Sequence, residues 1–278
     1  MRTILTDELW AILEPIAERS RKFKCGAKPT LSDRMFFEAL LYIARTGIPW
    51  RDLPGDFGRW EAVYMRFRRW IASTSLQRLF ENLTADPALG EIRRILIDST
   101  IVRVHQHAAG ARRRKKKSPE RSAHDQGIGR SRGGNSSKIM LTAADEDTAI
   151  VVKVLPGQAG DAPELKPMLE QTLDRVGVVD ELAGDKGFDG DAQREACIDN
   201  DVFPNIPNRK NRIDPWPYDK EGYKQRNRVE RLFCKMKQFR RVATRYEKLK
   251  VTFLGMIQIV LGFIRLRRIQ KQPIVNTA

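Results

Sequence analysis

Arg94-Ile95-Leu96-Ile97-Asp98-Ser99-Thr100-Ile101-Val102-Arg103-Val104 is the stretch on which the fold turns. It is β-branched and mostly apolar, so it reads as a buried strand. An aspartate inside such a strand is costly unless it is paired, hydrogen-bonded or bound to a metal. Downstream, Lys138–Ala143 and Ala149–Leu155 read as a hairpin turned by Asp145-Glu146-Asp147. A helix follows from Ala162 to about Val176, then a short strand from Glu181 that ends on Asp185. A helix over Asp191–Asn200, a strand over Val202–Ile206, a long helix over Tyr223–Val242 and a last helix over Val251–Arg268 complete the order. Strands and helices mixed in this way predict an α/β core.

Between the first strand and the hairpin, residues 106–137 lose all hydrophobic periodicity. Arg112, Arg113, Arg114, Lys115, Lys116 and Lys117 run together, followed by Gly127, Gly129, Gly133 and Gly134. This predicts a mobile basic loop, solvated or in contact with phosphates. Upstream, residues 1–90 read as helical. Thr6 caps a helix carrying Leu9, Ile12, Leu13 and Ile16, and Ser32-Asp33 opens a second that stops at Gly47. After the turn-rich residues 48–58 a third helix runs over Arg59–Ala72, with Arg59, Arg66 and Arg69 together on one face. A helix over Leu76–Leu83 ends before Asp86-Pro87, and Gly90 marks a boundary. Helix, turn, and helix with a basic face is the outline of a helix-turn-helix reader of DNA; the plainer reading is a helical bundle with solvated arginines.

The formal net charge of +16 makes a polyanion the expected partner. The charge is uneven: net +3 over residues 1–90, +8 over 91–137, −9 over 138–205 and +14 over 206–278. Cys25, Cys197 and Cys234 are too far apart for a disulfide framework or a zinc spacing, which fits a reducing cytoplasm. The N-terminus lacks the apolar run of a signal peptide. The most apolar stretch, Val251–Ile264, has 14 residues against the roughly 20 a membrane span needs, so it reads as a core helix and no membrane partner is expected.

The acids carry the chemistry. Asp98 and Asp185 sit on strands whose ends would lie at one edge of the sheet, where α/β sites are built. With Glu230 as origin and about 100° per residue, Tyr223 falls near about +20°, Arg226 near about −40° and Lys237 near about −20°, in a band roughly 60° wide. Val229, Leu232 and Met236 form the buried face beside it. Three carboxylates around one point repel unless divalent cations relieve them, and oxygen-only ligation suits Mg²⁺ or Mn²⁺. Two such ions would serve phosphodiester chemistry, with Arg226 and Lys237 clamping phosphate oxygens. The alternative is a structural pair of Glu230 with Arg226, four residues earlier. His105 and His107 lack a third ligand and suit strand-end packing or DNA contact. Asp189 reads as a helix cap or a second acid, and Trp216 as loop packing or a base-stacking residue.

Tyr223, Arg226, Glu230 and Lys237, separated by two, three and six residues, are similar to the signature of the DDE transposases of bacterial insertion sequences. The chain resembles insertion sequence family five over residues 3–268. Arg45-Thr46-Gly47-Ile48-Pro49-Trp50-Arg51-Asp52-Leu53-Pro54, Phe57-Gly58-Arg59-Trp60, Asp98-Ser99-Thr100, Gly129-Arg130-Ser131-Arg132-Gly133-Gly134 and Asp185-Lys186-Gly187-Phe188-Asp189 carry the likeness with Phe239–Glu247. The resemblance implies a ribonuclease-H-like mixed sheet flanked by helices over residues 91–272, after a helical DNA-binding domain over 1–90 and before a tail over 273–278. It implies Asp98, Asp185 and Glu230 as catalytic and Mg²⁺-binding residues, with Mn²⁺ as substitute. It implies cleavage of double-stranded DNA at terminal inverted repeats and attack of the freed 3′-hydroxyl on target DNA, by a homodimer or higher oligomer in the nucleoid-associated cytoplasm. Expected phosphate contacts are Tyr223, Arg226, Lys237, Arg59, Arg66, Arg69, Arg112–Lys117, Arg130, Arg132 and Lys138. A nuclease or resolvase of the same fold, and a repressor using only the N-terminal helices, are the other readings.

Overall fold

The computed structural model describes residues 3–22, 30–84, 91–109 and 126–271. Cys25, the basic run Arg112–Lys117, the expected boundary at Asp86–Gly90 and the tail at 273–278 lie outside those residues. The chain opens with four helices: α1 (Asp7–Ser20), α2 (Asp33–Thr46), α3 (Trp60–Ala72) and α4 (Ser75–Thr84). Their ends follow local chemistry. The Thr6 hydroxyl accepts from Leu9 N, the Ser32 hydroxyl accepts from Met35 N, and Gly47 closes α2 at φ +76°. Any other residue at Gly47 would be strained by that φ and would press its Cβ against Arg240.

The sheet contains β1 (Arg94–Val104), β2 (Gly129–Ser131), β3 (Gly134–Ala143), β4 (Ala149–Pro156), β5 (Glu181–Ala183), β6 (Phe203–Asn205) and β7 (Thr244–Arg245). β1, β3 and β4 form an antiparallel meander, and β5 and β6 add parallel strands beyond β1. That is the ribonuclease-H-like mixed sheet which the resemblance implies. Helices α5 (Leu165–Val176) and α6 (Asp191–Ile198) cover one face over Ile95, Ile97, Met140 and Leu182. The long final helix α10 (Lys250–Lys271) and α8 (Asn227–Lys237) cover the other, over Leu96, Val102, Ile139 and Ala183. The same core continues into α1–α4, so one apolar cluster joins the N-terminal helices to the sheet. Burial of β1 on both faces explains its near-continuous apolar run.

Three local expectations change. The 223–242 segment is not one helix. A short α7 (Lys220–Tyr223) passes into a 3-10 turn (Lys224–Arg226), then α8, then a separate α9 (Arg240–Ala243) that leads into β7. Second, part of the expected mobile loop is regular: β2 and the start of β3 pair as a hairpin within residues 129–136. Its short polar strands show no hydrophobic alternation because they overhang the core, where Arg130 and Asn135 are exposed. Third, α10 begins at Lys250 and extends to Lys271. Among the described residues no helix is long and apolar enough to cross a membrane.

Helix α10 reaches α3 and α4 through its glycines. A Cβ at Gly255 would meet Ile71 and Leu76 at 3.0 Å, and one at Gly262 would meet Leu83 at 3.0 Å. Gly255→Leu is therefore expected to lower unfolding free energy by about 1–3 kcal/mol through overpacking; urea denaturation measures it.

Candidate active site

Parallel pairing sets the two aspartates side by side. Leu96 pairs with Ala183, and Asp98 and Asp185 each lie two residues further along. Leu96 and Asp98 share a face by alternation, and that face meets α8, which carries Glu230. Lys237 fastens the helix across the strand, its Nζ donating to Thr100 Oγ1 at 2.6 Å and to the Ile101 carbonyl at 3.3 Å.

Arg226 lies between two of the acids. It donates from Nη2 to Asp98 Oδ2 at 3.0 Å and from Nη1 to Glu230 Oε1 at 2.8 Å. Asp98 Oδ1 accepts from Ser99 N at 2.8 Å, and Asp185 Oδ1 accepts from Gly187 N at 2.7 Å, capping the turn Lys186–Phe188. Burial raises the Asp98 pKa above its ordinary value despite Arg226 and the Ser99 amide, and the charges of Asp185 and Glu230 raise it further. Burial likewise raises the Tyr223 hydroxyl, opposed by Arg226 and reinforced by Asp185, Asp98 and Glu230. The Arg226 guanidinium is raised, because Asp98, Tyr223 and Glu230 outweigh its burial. All five groups thus share one electrostatic field.

The donor set is oxygen-only and anionic, which fits a hard divalent cation. Among the described residues no three His, Cys, Asp or Glu side chains are drawn close enough to hold an ion as they stand. A guanidinium already supplies positive charge between Asp98 and Glu230, so the structural pair of Arg226 with Glu230 and the acid cluster coexist.

Other candidates are placed elsewhere. Arg66 is buried, not part of an exposed basic face. It donates to the Leu31 carbonyl at 2.7 Å, pairs with Asp33 and lies over the Phe36 ring at 4.5 Å, and burial pushes it down to about 10. Lys138 is buried too, donating to the Ala159 carbonyl and Asp161 Oδ1 at 2.6 Å. It pairs with Ile101, on the sheet face opposite Asp98 and Thr100. Alternation in a strand and spacing on a helix say nothing of which cation a carbonyl will capture. Arg59, Arg69, Arg130 and Arg132 are exposed. His105 stacks between His107 and Tyr246, with centroids at 4.5 and 4.9 Å, as strand-end packing.

Sequence reading missed Arg241, Arg245 and the role of Asp189. Arg245 is fully buried, bonded to the carbonyls of Gly127 and Glu247 and to Ser137 Oγ. Arg241 pairs with Glu247 at 2.6 Å. Asp189 does not cap α6, whose N-cap is Gly190. It accepts instead from Arg194 Nε and Arg212 Nη1 at 2.9 Å and from Arg209 N at 2.6 Å. Trp216 packs in this loop, with Arg194 at 5.6 Å from its ring. A density of arginine in the sequence was the only available signal of these hubs.

Burial opposes ionisation of Asp189, yet the Arg209 amide and the two guanidinium groups hold its carboxyl below the usual range. The folded value is depressed, so its stabilisation is present above the unfolded value of about 3.9 and is lost as pH falls through the lower folded value. Asp189→Asn is expected to cost about 3–5 kcal/mol at neutral pH, by leaving Arg194 buried without its anion. The variant's stability should also change less with pH below about 4, as read by urea unfolding across that range.

The chain has relatives among known proteins. Residues 5–80 match a family described as "Putative transposase of IS4/5 family (DUF4096)", and residues 89–262 match the family "Transposase DDE domain". An uncharacterized protein, y4sN, of Sinorhizobium fredii is 41% identical over 111 residues, 40% of this chain and 85% of the relative. A protein of Brucella ovis named as a transposase for insertion sequence element IS6501 is 32% identical over 117 residues, 42% of this chain and 87% of the relative. Among solved structures, the piggyBac transposase synaptic complex with hairpin DNA aligns with a TM-score of 0.42 at 11% identity, over 95% of this chain and 73% of that one. With one match covering most of its length and another covering its N-terminal helices, the chain belongs to the transposase DDE-domain family of insertion sequences.

Proposed function

We propose that this transposase binds the terminal inverted repeats of its own element, cuts DNA strands there and joins the 3′ ends to target DNA. Asp98, Asp185 and Glu230 would hold Mg²⁺, or Mn²⁺ in its place. The observation that carries the reading is that Arg226 bonds both Asp98, within β1, and Glu230, on α8, while the parallel register of β5 brings Asp185 towards Asp98. Bound ions would lower the pKa of an attacking water or 3′-hydroxyl and stabilise the leaving oxygen.

The chain's own residues position the DNA. Lys237 is tethered to Thr100 beside Asp98 and presents a cation where a phosphate would pass. Arg226 has a phosphate as an alternative partner to its two carboxylates, and transfer to that partner frees Asp98 and Glu230. Half-buried Asp98 stays fixed by its strand and by Ser99 N. Exposed Arg59, Arg69, Arg130 and Arg132 suit the more distant backbone of the duplex. The basic run Arg112–Lys117, outside the described residues, is a further expected phosphate contact in this reading. Joining two ends calls for a homodimer or higher oligomer on DNA, in the nucleoid-associated cytoplasm.

Strand cleavage of an end-containing duplex with Mg²⁺ tests the assignment. Asp98→Asn, Asp185→Asn and Glu230→Gln should each cut at least about 100-fold more slowly. Wild-type cutting by all three sinks the triad. A second measurement needs no DNA: Mn²⁺ binding followed by electron paramagnetic resonance. Arg226→Gln should bind Mn²⁺ several-fold more tightly than wild type, because the competing guanidinium is gone. Equal or weaker binding contradicts that role for Arg226.

A further inference from the structure

Away from the acids, Trp50, Trp60, Tyr64, Tyr246 and Arg241 line a cavity of about 210 Å³ between the N-terminal helices and the segment after α9. Its walls are aromatic and each carries a cation. Arg51 lies 5.9 Å from the Trp60 ring and Arg68 5.9 Å from Tyr64. Arg241 lies 5.8 Å from Trp50 and 5.4 Å from Tyr246. Trp50 and Tyr64 meet edge to face at 5.0 Å. Glu247 also lines the cavity and is only 6% exposed. Its Oε1 accepts from Arg241 Nε at 2.6 Å, while its buried Oε2 has no hydrogen-bond partner among the described residues.

These features specify a ligand. A buried carboxylate oxygen without a donor is costly, so a site that keeps one is matched to an N–H that arrives with the ligand. The volume is below the roughly 300–1,000 Å³ of drug-sized sites and suits a single ring system. Aromatic walls take its flat face, and exposed Lys248, which lines the cavity, takes an anion together with Arg51 and Arg68, which lie beside the Trp60 and Tyr64 rings. An aromatic side chain of a protein would satisfy the walls but leave both the carboxylate and the rim cations unanswered.

We propose that this cavity receives one unstacked nucleobase of the bound DNA. The base stacks against the tryptophan and tyrosine walls, an exocyclic amino group donates to Glu247 Oε2, and the flanking phosphates lie on the rim arginines. The inference rests on DNA being the partner. His105, which stacks on Tyr246, lies seven residues beyond Asp98, on the order of 20 Å at about 3.3 Å per residue. The captured base is therefore several nucleotides from the bond that is cut.

The test uses the full chain. A short strand of deoxycytidines carrying one iodinated deoxycytidine is irradiated with the wild-type protein, and cross-linked peptides are mapped by mass spectrometry. Cross-links at Trp50, Trp60, Tyr64 or Tyr246 are expected; cross-links confined to other regions overturn the proposal. In parallel, fluorescence anisotropy compares oligodeoxycytidine with an abasic strand of equal length and charge. The base-bearing strand should bind about tenfold more tightly. Trp60→Leu and Tyr246→Leu should bring that ratio towards one while leaving the abasic affinity unchanged. A strand whose cytosines lack the amino group should lose several-fold of the preference, and no loss overturns the Glu247 contact. Equal affinity of both strands for the wild type overturns the pocket but leaves DNA as partner. Failure to bind either strand by a protein that binds an end-containing duplex overturns the pocket, and failure to bind that duplex as well removes DNA as partner. If a variant unfolds, the wild-type cross-links and the strand comparison still decide.

Discussion

Strand β1 is paired along its length. On one edge it runs antiparallel to β3 from Leu96 to Arg103, and on the other it runs parallel to β5 and then to β7. Backbone groups in a buried strand must be bonded, so this pairing is what makes a mostly apolar eleven-residue strand tolerable in the centre of the molecule. It also places every group of the site. The β5 register puts the end of that strand beside Asp98, the pleat turns Asp98 and Thr100 to the α8 face, and Lys237 finds Thr100 there. A slip of one residue would turn Asp98 to the opposite face and bring Ser99 or Ile97 under Glu230.

Positive charge does three different jobs in this chain. Arg226 screens converging carboxylates from one another. Arg66, Arg194, Arg241 and Arg245 are buried and bind carbonyls or acids, joining segments far apart in sequence. Arg59, Arg69, Arg130 and Arg132 remain exposed, available to an anion. Composition counts all of these alike. The net charge therefore overstates the surface available to DNA, and its physical meaning depends on which guanidinium groups the fold has already occupied.

The N-terminal helices and the catalytic sheet share more than a linker. α10 belongs to the C-terminal half but packs its glycines against α3 and α4, while Arg241 bonds the Ile48 carbonyl beyond α2. The aromatic cavity lies at that junction, with walls drawn from both halves. The N-terminal helices are thereby coupled mechanically to the strand that carries Asp98.

Much of the fold, and the acids of the candidate site, were legible in the chain itself. Capping at Thr6, Ser32 and Gly47, the alternation and burial of β1, β3 and β4, and the banding of Glu230 with Arg226 and Lys237 are local properties, set by backbone geometry and side-chain period. The break between Tyr223 and Asn227, the hairpin at 129–136, the burial of Arg66 and Lys138, and the hub at Asp189 were not legible. Arg66 and Lys138 depend on partners 21 to 35 residues away and Asp189 on partners 5 to 23 away, the break at 223–227 on a competition between packing and helix continuity, and the polar hairpin on backbone pairing alone; none of these has a hydrophobic period. The sequence alone thus determined which residues carry the charge and where strands and helices arise. Only the tertiary structure decided which charges face one another, because that follows from strand pairing and helix docking between distant segments.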